Sequence, residues 1–243
     1  MLERAAQDPR ISGSAITGSA AVRREDRWSD IDLAFGVDCQ SSVAEVLADW
    51  SSYMYGQHSV LHHVDVRAGA WIYRVFLLPG TLQVDIAFAL SGDFRALGPA
   101  FQLIHGEANG SDHVPPTAAP DLIGMSWLYA LHARTSIARG HLWQAEYMVS
   151  GVRDYALALA CIRHSLPAVH GRGIDRLPAK VLGPLQDALV RELNVTELTR
   201  AFRAAVNGLQ AELRSTDQQL ADRLQETLTC LPDGIDPTGL PPA

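Results

Sequence analysis

Apolar positions along the chain follow two different rules, one before and one after roughly residue 110. In the first part, short apolar runs are separated by turn residues, which is the pattern of strands. Ser14 to Thr17 reads as a small apolar strand ending at Gly18-Ser19, and Ile31 to Val37 as a second. A helix from about Ser42 to Tyr53 separates them from three further runs: Val60 to Val66, Trp71 to Leu78 and Leu82 to Phe88. Pro79-Gly80 is a turn signal, so the last two runs should form an antiparallel hairpin. Phe101 to His105 fits one more short edge strand, and the residues before Ser14 read as a short amphipathic start.

From Asn109 to Pro120 the chain is rich in Gly, Ser and Pro and reads as a linker. Beyond it the period changes to that of helices. Asp121 can cap a helix running to about Arg139, which Gly140 would stop. Further helices are expected over Leu142 to His164, Ala179 to Glu192, Thr196 to Arg214 and Thr216 to Thr229, with a frayed tail ending in Pro241-Pro242. The expected architecture is therefore α+β: a domain over 1–116 with a mixed sheet, a helical bundle over 117–243, and a cleft between the two.

Charge changes this picture in one respect. The net charge of -7 is uneven: 8 Arg/Lys against 14 Asp/Glu up to Pro116, then 12 against 13, giving -6 and -1. An acidic first domain repels a phosphate backbone, which argues against long nucleic acid as a partner, and attracts metal ions and a cationic acceptor. The chain has no apolar run of the roughly 18 residues a membrane span needs, and Met1 to Arg10 carries charges with no apolar signal region, so the cytoplasm is the expected compartment. Cys39, Cys161 and Cys230 have neither disulfide-framework nor zinc spacing and are expected to be buried apolar residues. A homodimer is the default oligomer.

Candidate chemistry sits on the first strands. In a strand, residues two apart project from one face, so Asp30 and Asp32 point together while Ile31 and Leu33 face a core. Such a pair recurs by chance, but Asp85 interrupts another apolar strand between Val84 and Ile86. If the two strands are neighbours, three carboxylates converge, and a divalent cation is the usual relief of their repulsion. Oxygen-only ligands suit Mg2+. Gly18 at a strand end permits close approach to a phosphate, Ser19 can donate to it, and Arg23, Arg24 and Arg27 lie within reach of phosphate oxygens.

Gly18-Ser19, ten intervening residues, Ser29-Asp30-Ile31-Asp32-Leu33 and a third acid in Val84-Asp85-Ile86 resemble the signature of the DNA polymerase beta nucleotidyltransferase superfamily. With a helical second domain, the chain is most similar to antibiotic nucleotidyltransferases that act on aminoglycosides and lincosamides. The resemblance implies transfer of a nucleoside monophosphate, AMP from ATP in the first instance, to a hydroxyl of a small acceptor of aminoglycoside type, releasing pyrophosphate. It places Asp30, Asp32 and Asp85 on metal and Gly18, Ser19, Arg23 and Ser29 on nucleotide. It also implies a glutamate from a second-domain helix as general base, for which Glu146 is the candidate, with Asp85 as the other possibility. Arg153, seven residues on, shares the face of Glu146 and can touch phosphate.

Other constellations weigh less. His62 and His63 are adjacent and point to opposite faces of a strand, and His113 in the linker carries no signal. Arg163 and His170 mimic the arginine-histidine motif of HEPN ribonuclease domains, but Pro167 and Gly171 put that pair at a helix end. Trp127, Tyr129, Trp143 and Tyr147 read as core aromatics. The main rival is an antitoxin-like or non-catalytic nucleotide-binding module that acts on, or pairs with, a partner protein.

Overall fold

The computed structural model describes residues 1–110, 119–233 and 235. The linker prolines Pro115-Pro116, His113 and the Pro241-Pro242 tail lie outside the described residues. The chain divides into two compact units, Met1–Val114 and Pro115–Ala243.

The first unit is a six-stranded mixed sheet in the order β3-β4-β5-β2-β1-β6. Its elements are α1 (Leu2–Gln7), β1 (Ile11–Thr17), α2 (Gly18–Ala21), β2 (Ile31–Val37), α3 (Val43–His58), β3 (His62–Ala68), β4 (Trp71–Leu77), β5 (Gln83–Leu90) and β6 (Phe101–Gly106). Only β2 and β5 run parallel; every other neighbouring pair is antiparallel. The β4–β5 hairpin forms as the Pro79-Gly80 signal demands, with Gly80 in the left-handed region (φ 73).

The sheet has two unlike faces. On one, Leu33, Phe35, Val37, Phe76, Val84, Ile86 and Phe88 pack with Val46, Leu47, Trp50 and Met54 of α3 into the main core. On the other, Ala15, Ala34, Ala87 and Ala89 form a floor of small side chains partly covered by Phe94 and Trp71. Gly13 and Gly36 belong to that cover, since a Cβ at either would meet the Phe94 ring. Helix α3 starts at Ser42, whose hydroxyl accepts from the Glu45 amide, and it outruns the expected Tyr53 because Met54 continues its buried stripe.

The second unit is all helical: α4 (Ala119–Ala138), α5 (Leu142–Arg163), α6 (Ala179–Gln186), α7 (Val195–Thr216) and α8 (Gln218–Asp233). Its core joins Ala130, Ala133 and Ile137 of α4 to Val149, Val152 and Ala156 of α5 and to Leu198, Phe202 and Leu209 of α7. Gly140 (φ 70) stops α4 as its position requires. Asp121 falls inside the first turn of α4 instead of capping it.

Further expectations need correction, the one for the cysteines reaching into the first unit. Helix α6 ends at Gln186, not near Glu192, because Arg200 of α7 claims the carbonyls of Asp187 and Leu189 (2.5 and 2.9 Å) and Asn194 caps α7. Trp143 (79 % exposed), Tyr147 (61 %) and Trp127 are surface aromatics, with only Tyr129 drawn inward against Gly151 and Tyr155. Of the cysteines, Cys161 alone is buried. Arg163 closes α5 with its guanidinium on Glu212 (2.8 and 3.0 Å), and His170 sits in a left-handed turn (φ 55), so the arginine is already committed to a structural pair.

Candidate functional site

Strand β1 ends at Thr17 and the chain turns at once through Gly18, whose φ of +64 belongs to the left-handed region. A Cβ at Gly18 would also run into the Asp32 carboxylate, so the glycine is required by conformation and by space. The next residue places its hydroxyl inward: Ser19 Oγ is buried with no hydrogen-bond partner among the described residues. Amides of Val22 and Arg24 close on the Ser19 carbonyl (3.3 and 2.9 Å), fixing the turn.

Asp32 stands in β2 directly beside Asp85 of β5, the two strands being parallel and in register there. Asp30 precedes β2 by one residue rather than lying in it, yet it reaches the same side. Asp30, Asp32 and Asp85 each offer a carboxylate oxygen, and these atoms lie within 4.8 Å of one another. Like charges so placed on a sheet repel. Octahedral oxygens at about 2.1 Å from a magnesium ion are separated by about 3–4 Å, so this spacing suits one or two small divalent cations. The buried, unpartnered Ser19 hydroxyl and the glycine packed on Asp32 fit a phosphate-bearing ligand in the same place.

Electrostatics agree with that reading of the donors. Burial pushes the Asp85 carboxyl above its ordinary range; the hydrogen bond from Gln83 pulls it down and the charge of Asp30 pushes it up. The Gln83 amide donates to Asp85 Oδ1 (2.9 Å) and to Asp30 Oδ2 (3.4 Å), tying two of the three acids together. Sequence reasoning passed over Gln83, although the signal was there: it precedes Asp85 by two on one strand and so shares its face. A cavity of about 390 Å³ borders Asp30 and Asp32 and extends past Ile16 and Leu33 to Met1 and Leu2, without reaching Asp85.

The remaining candidates are distributed differently. The Ser29 hydroxyl is engaged with Asp26, accepting from its amide (2.9 Å) and donating to its carboxylate (3.2 Å), and so shapes the loop before β2. Arg23 (φ 54) and Arg24 are exposed on the turn after α2, and Arg27 lies over the Trp28 ring at 4.2 Å. Glu146 and Arg153 are both on α5 of the second unit. There the Ser150 hydroxyl donates to Glu146 (2.7 Å) and the Arg153 guanidinium pairs with Asp154 (2.9 Å).

Among the described residues, no helix is long and apolar enough to cross a membrane. No protein-family model matches the chain, and no curated protein matches it. Among solved structures, it is similar to an aminoglycoside 6-adenyltransferase from Bacillus subtilis, at 10% identity over 95% of each chain with a TM-score of 0.37. It is also similar to terminal uridylyl transferase 4 from Trypanosoma brucei with bound dUTP, at 16% identity, 89% of this chain, 66% of that one and a TM-score of 0.30. At such TM-scores neither likeness adds to what the sheet and its three acids state by themselves.

Proposed function

We propose that this chain is a magnesium-dependent nucleotidyltransferase that moves a nucleoside monophosphate, AMP from ATP in the first instance, to a hydroxyl of a small acceptor. One observation carries the reading: the Asp30, Asp32 and Asp85 carboxylates meet within 4.8 Å beside a Gly18-Ser19 turn whose buried hydroxyl lacks a partner among the described residues. Divalent ions bound by the acids would neutralise them and polarise the phosphoryl oxygens of the nucleotide. Gly18 lets the backbone lie against the phosphates, and Ser19 donates to them. Gln83 holds Asp85 and Asp30 in register for their ligands. Arg23 on the neighbouring turn supplies positive charge to the departing pyrophosphate.

The proton of the attacking hydroxyl passes to a carboxylate base. Glu146, oriented by Ser150, is the first candidate, and Asp85, which stands in the acid cluster itself, is the second. Arg153, held by Asp154, would contact phosphate from the same helix as Glu146.

The test is pyrophosphate release with each nucleoside triphosphate and Mg2+ against panels of aminoglycosides, lincosamides and other hydroxylated small molecules, with mass spectrometry of the products. Transfer to a small hydroxyl that disappears in Asp30→Asn and Asp32→Asn supports the reading. Full activity in both variants overturns it. Glu146→Gln separates the two bases: unchanged turnover removes Glu146 and leaves Asp85.

A further inference from the structure

We infer that the acceptor presents its hydroxyl from an apolar ring or chain and is not a polycation. This inference rests on the nucleotidyl-transfer reading and concerns the side of the site the nucleotide leaves open.

The sheet order sets the geometry. The acids stand on the two central strands, β2 and β5. Beyond β2 lies β1, which ends at the Gly18-Ser19 turn; beyond β5 lie β4 and then the edge strand β3. Displacement at phosphorus is in line: the hydroxyl oxygen forms the new bond on one side as the bond to pyrophosphate breaks on the other, and the hydroxyl proton goes to the carboxylate base. With pyrophosphate held on the β1 side by Gly18 and Ser19, the attacking oxygen approaches from the β4–β3 side.

The residues on that side are fixed by register. Asp85 pairs with Val75, and Val75 with Val64, so all three project from one face. The next row runs from Ala87 through Tyr73 to Val66, and the row on the other side runs from Gln83 to Leu77. Val64, Val66 and Leu77 are 54 %, 52 % and 45 % exposed. No carboxylate projects from this face of β3 or β4, and His62 is its one side chain able to carry positive charge.

On the opposite face β4 gives Ile72 and Phe76 to the core, and the charged side chains of both strands gather there. There His63, Asp65 and Arg67 of β3 face α3, and Arg74 of β4 binds Asp65, the Leu47 carbonyl and Ser51. An edge strand ordinarily keeps charge on its exposed positions; here the charges are confined to the side away from the acids. At about 4.8 Å per strand, the Val64–Val75 wall covers roughly the first 10 Å beyond Asp85, the size of a small acceptor. A polycation would find no counter-charge along it, whereas an apolar ring would bury surface against it.

The test uses wild-type protein with Mg2+ and α,β-methylene-ATP. It measures binding of 4-methylumbelliferyl β-D-glucoside, methyl β-D-glucoside and the dication 2-deoxystreptamine, the charged core of larger polycationic acceptors. The aryl glucoside should bind at least tenfold more tightly than either of the others. Val64→Lys combined with Val66→Lys should weaken it about tenfold while leaving α,β-methylene-ATP affinity unchanged. The milder Val64→Thr with Val66→Thr, which keeps strand propensity, should weaken it about threefold.

Tighter binding of 2-deoxystreptamine, no advantage of the aryl group, or unchanged affinity in both double variants overturns the inference. So does a fall in nucleotide affinity in the threonine variant, which would give the wall to the nucleobase. Failure of wild-type protein to bind Mg2+ with α,β-methylene-ATP overturns the nucleotidyl-transfer reading itself and removes the wall's role with it.

Discussion

The two faces of the first unit's sheet are made by the same strands and have opposite designs. Toward α3, β2 and β5 present Leu33, Phe35, Val84, Ile86 and Phe88, large side chains interlocked with Trp50; Phe35 lies 4.7 Å from the Trp50 ring centroid and 5.6 Å from that of Phe88. Toward the other side, the alternate residues of those strands are Asp32, Ala34, Asp85 and Ala87. Because side chains alternate in a strand, a chain can place its stability and its chemistry one residue apart. The packed face anchors the strands, and the anchored strands hold carboxylates against their own repulsion.

The comparison can be broken from the packed side first. Phe35→Ala should cost about 3–5 kcal/mol of stability by opening a cavity among Trp50 and Phe88, seen as a lowered urea midpoint. Its loss of activity should follow the unfolded fraction. Asp32→Asn should do the reverse: metal-dependent transfer falls by about 100-fold, equivalent to about 2.7 kcal/mol, with an unchanged or higher thermal midpoint, because a repulsive charge is gone. A large loss of stability in this variant would contradict the division of labour between the faces.

Gly18→Ala tests the contact between the turn and the acid. The left-handed φ alone costs an alanine about 1–2 kcal/mol, and its Cβ meets the Asp32 carboxylate. Nucleotide binding should therefore weaken more than the thermal midpoint falls, readable by calorimetry and melting on one sample.

The smallest effect concerns pH. Asp85 has a folded pKa raised above its unfolded value, chiefly by burial. Its favourable contribution is therefore complete below the ordinary carboxylate range and is lost as pH rises through the raised value. Asp8, Asp65 and Glu197, lowered by hydrogen bonds from Arg10, Arg74 and Arg200 (Glu197 to about 2), act in the opposite direction. Subtracting the urea stability of Asp85→Asn from that of the wild type without metal, across the acid range, isolates Asp85. The difference should favour the wild type in acid and shrink toward neutrality, while Mg2+ affinity of the wild type grows over the same interval.

Much of this was legible in the residues. Strand alternation put Asp30 and Asp32 on one side with Ile31 and Leu33 toward the core, and Asp85 joins them because β5 is the parallel neighbour of β2, a pairing the residues alone left open. Long-range choices were not legible. Nothing local announces that Arg200 will take the Asp187 and Leu189 carbonyls and end α6 early, or that Phe94 will cover Gly13 and Gly36. The exposure of Trp143 and Tyr147 defied their hydrophobicity, because an aromatic residue on a helix reports its own chemistry and not which neighbour covers it. Gln83 and the Val64–Val75 wall could have been read by the alternation that located Asp85, had the strand pairing been known.

The most direct measurement is Mn2+ binding followed by electron paramagnetic resonance, with and without ATP, on the wild type and on Asp30→Asn, Asp32→Asn and Asp85→Asn. Manganese should bind the wild type, tighten when ATP is added, and weaken at least tenfold in each variant. Equal affinity in all four proteins, or a metal signal indifferent to ATP, would contradict the claim that these three carboxylates and the Gly18-Ser19 turn form one nucleotide-metal site.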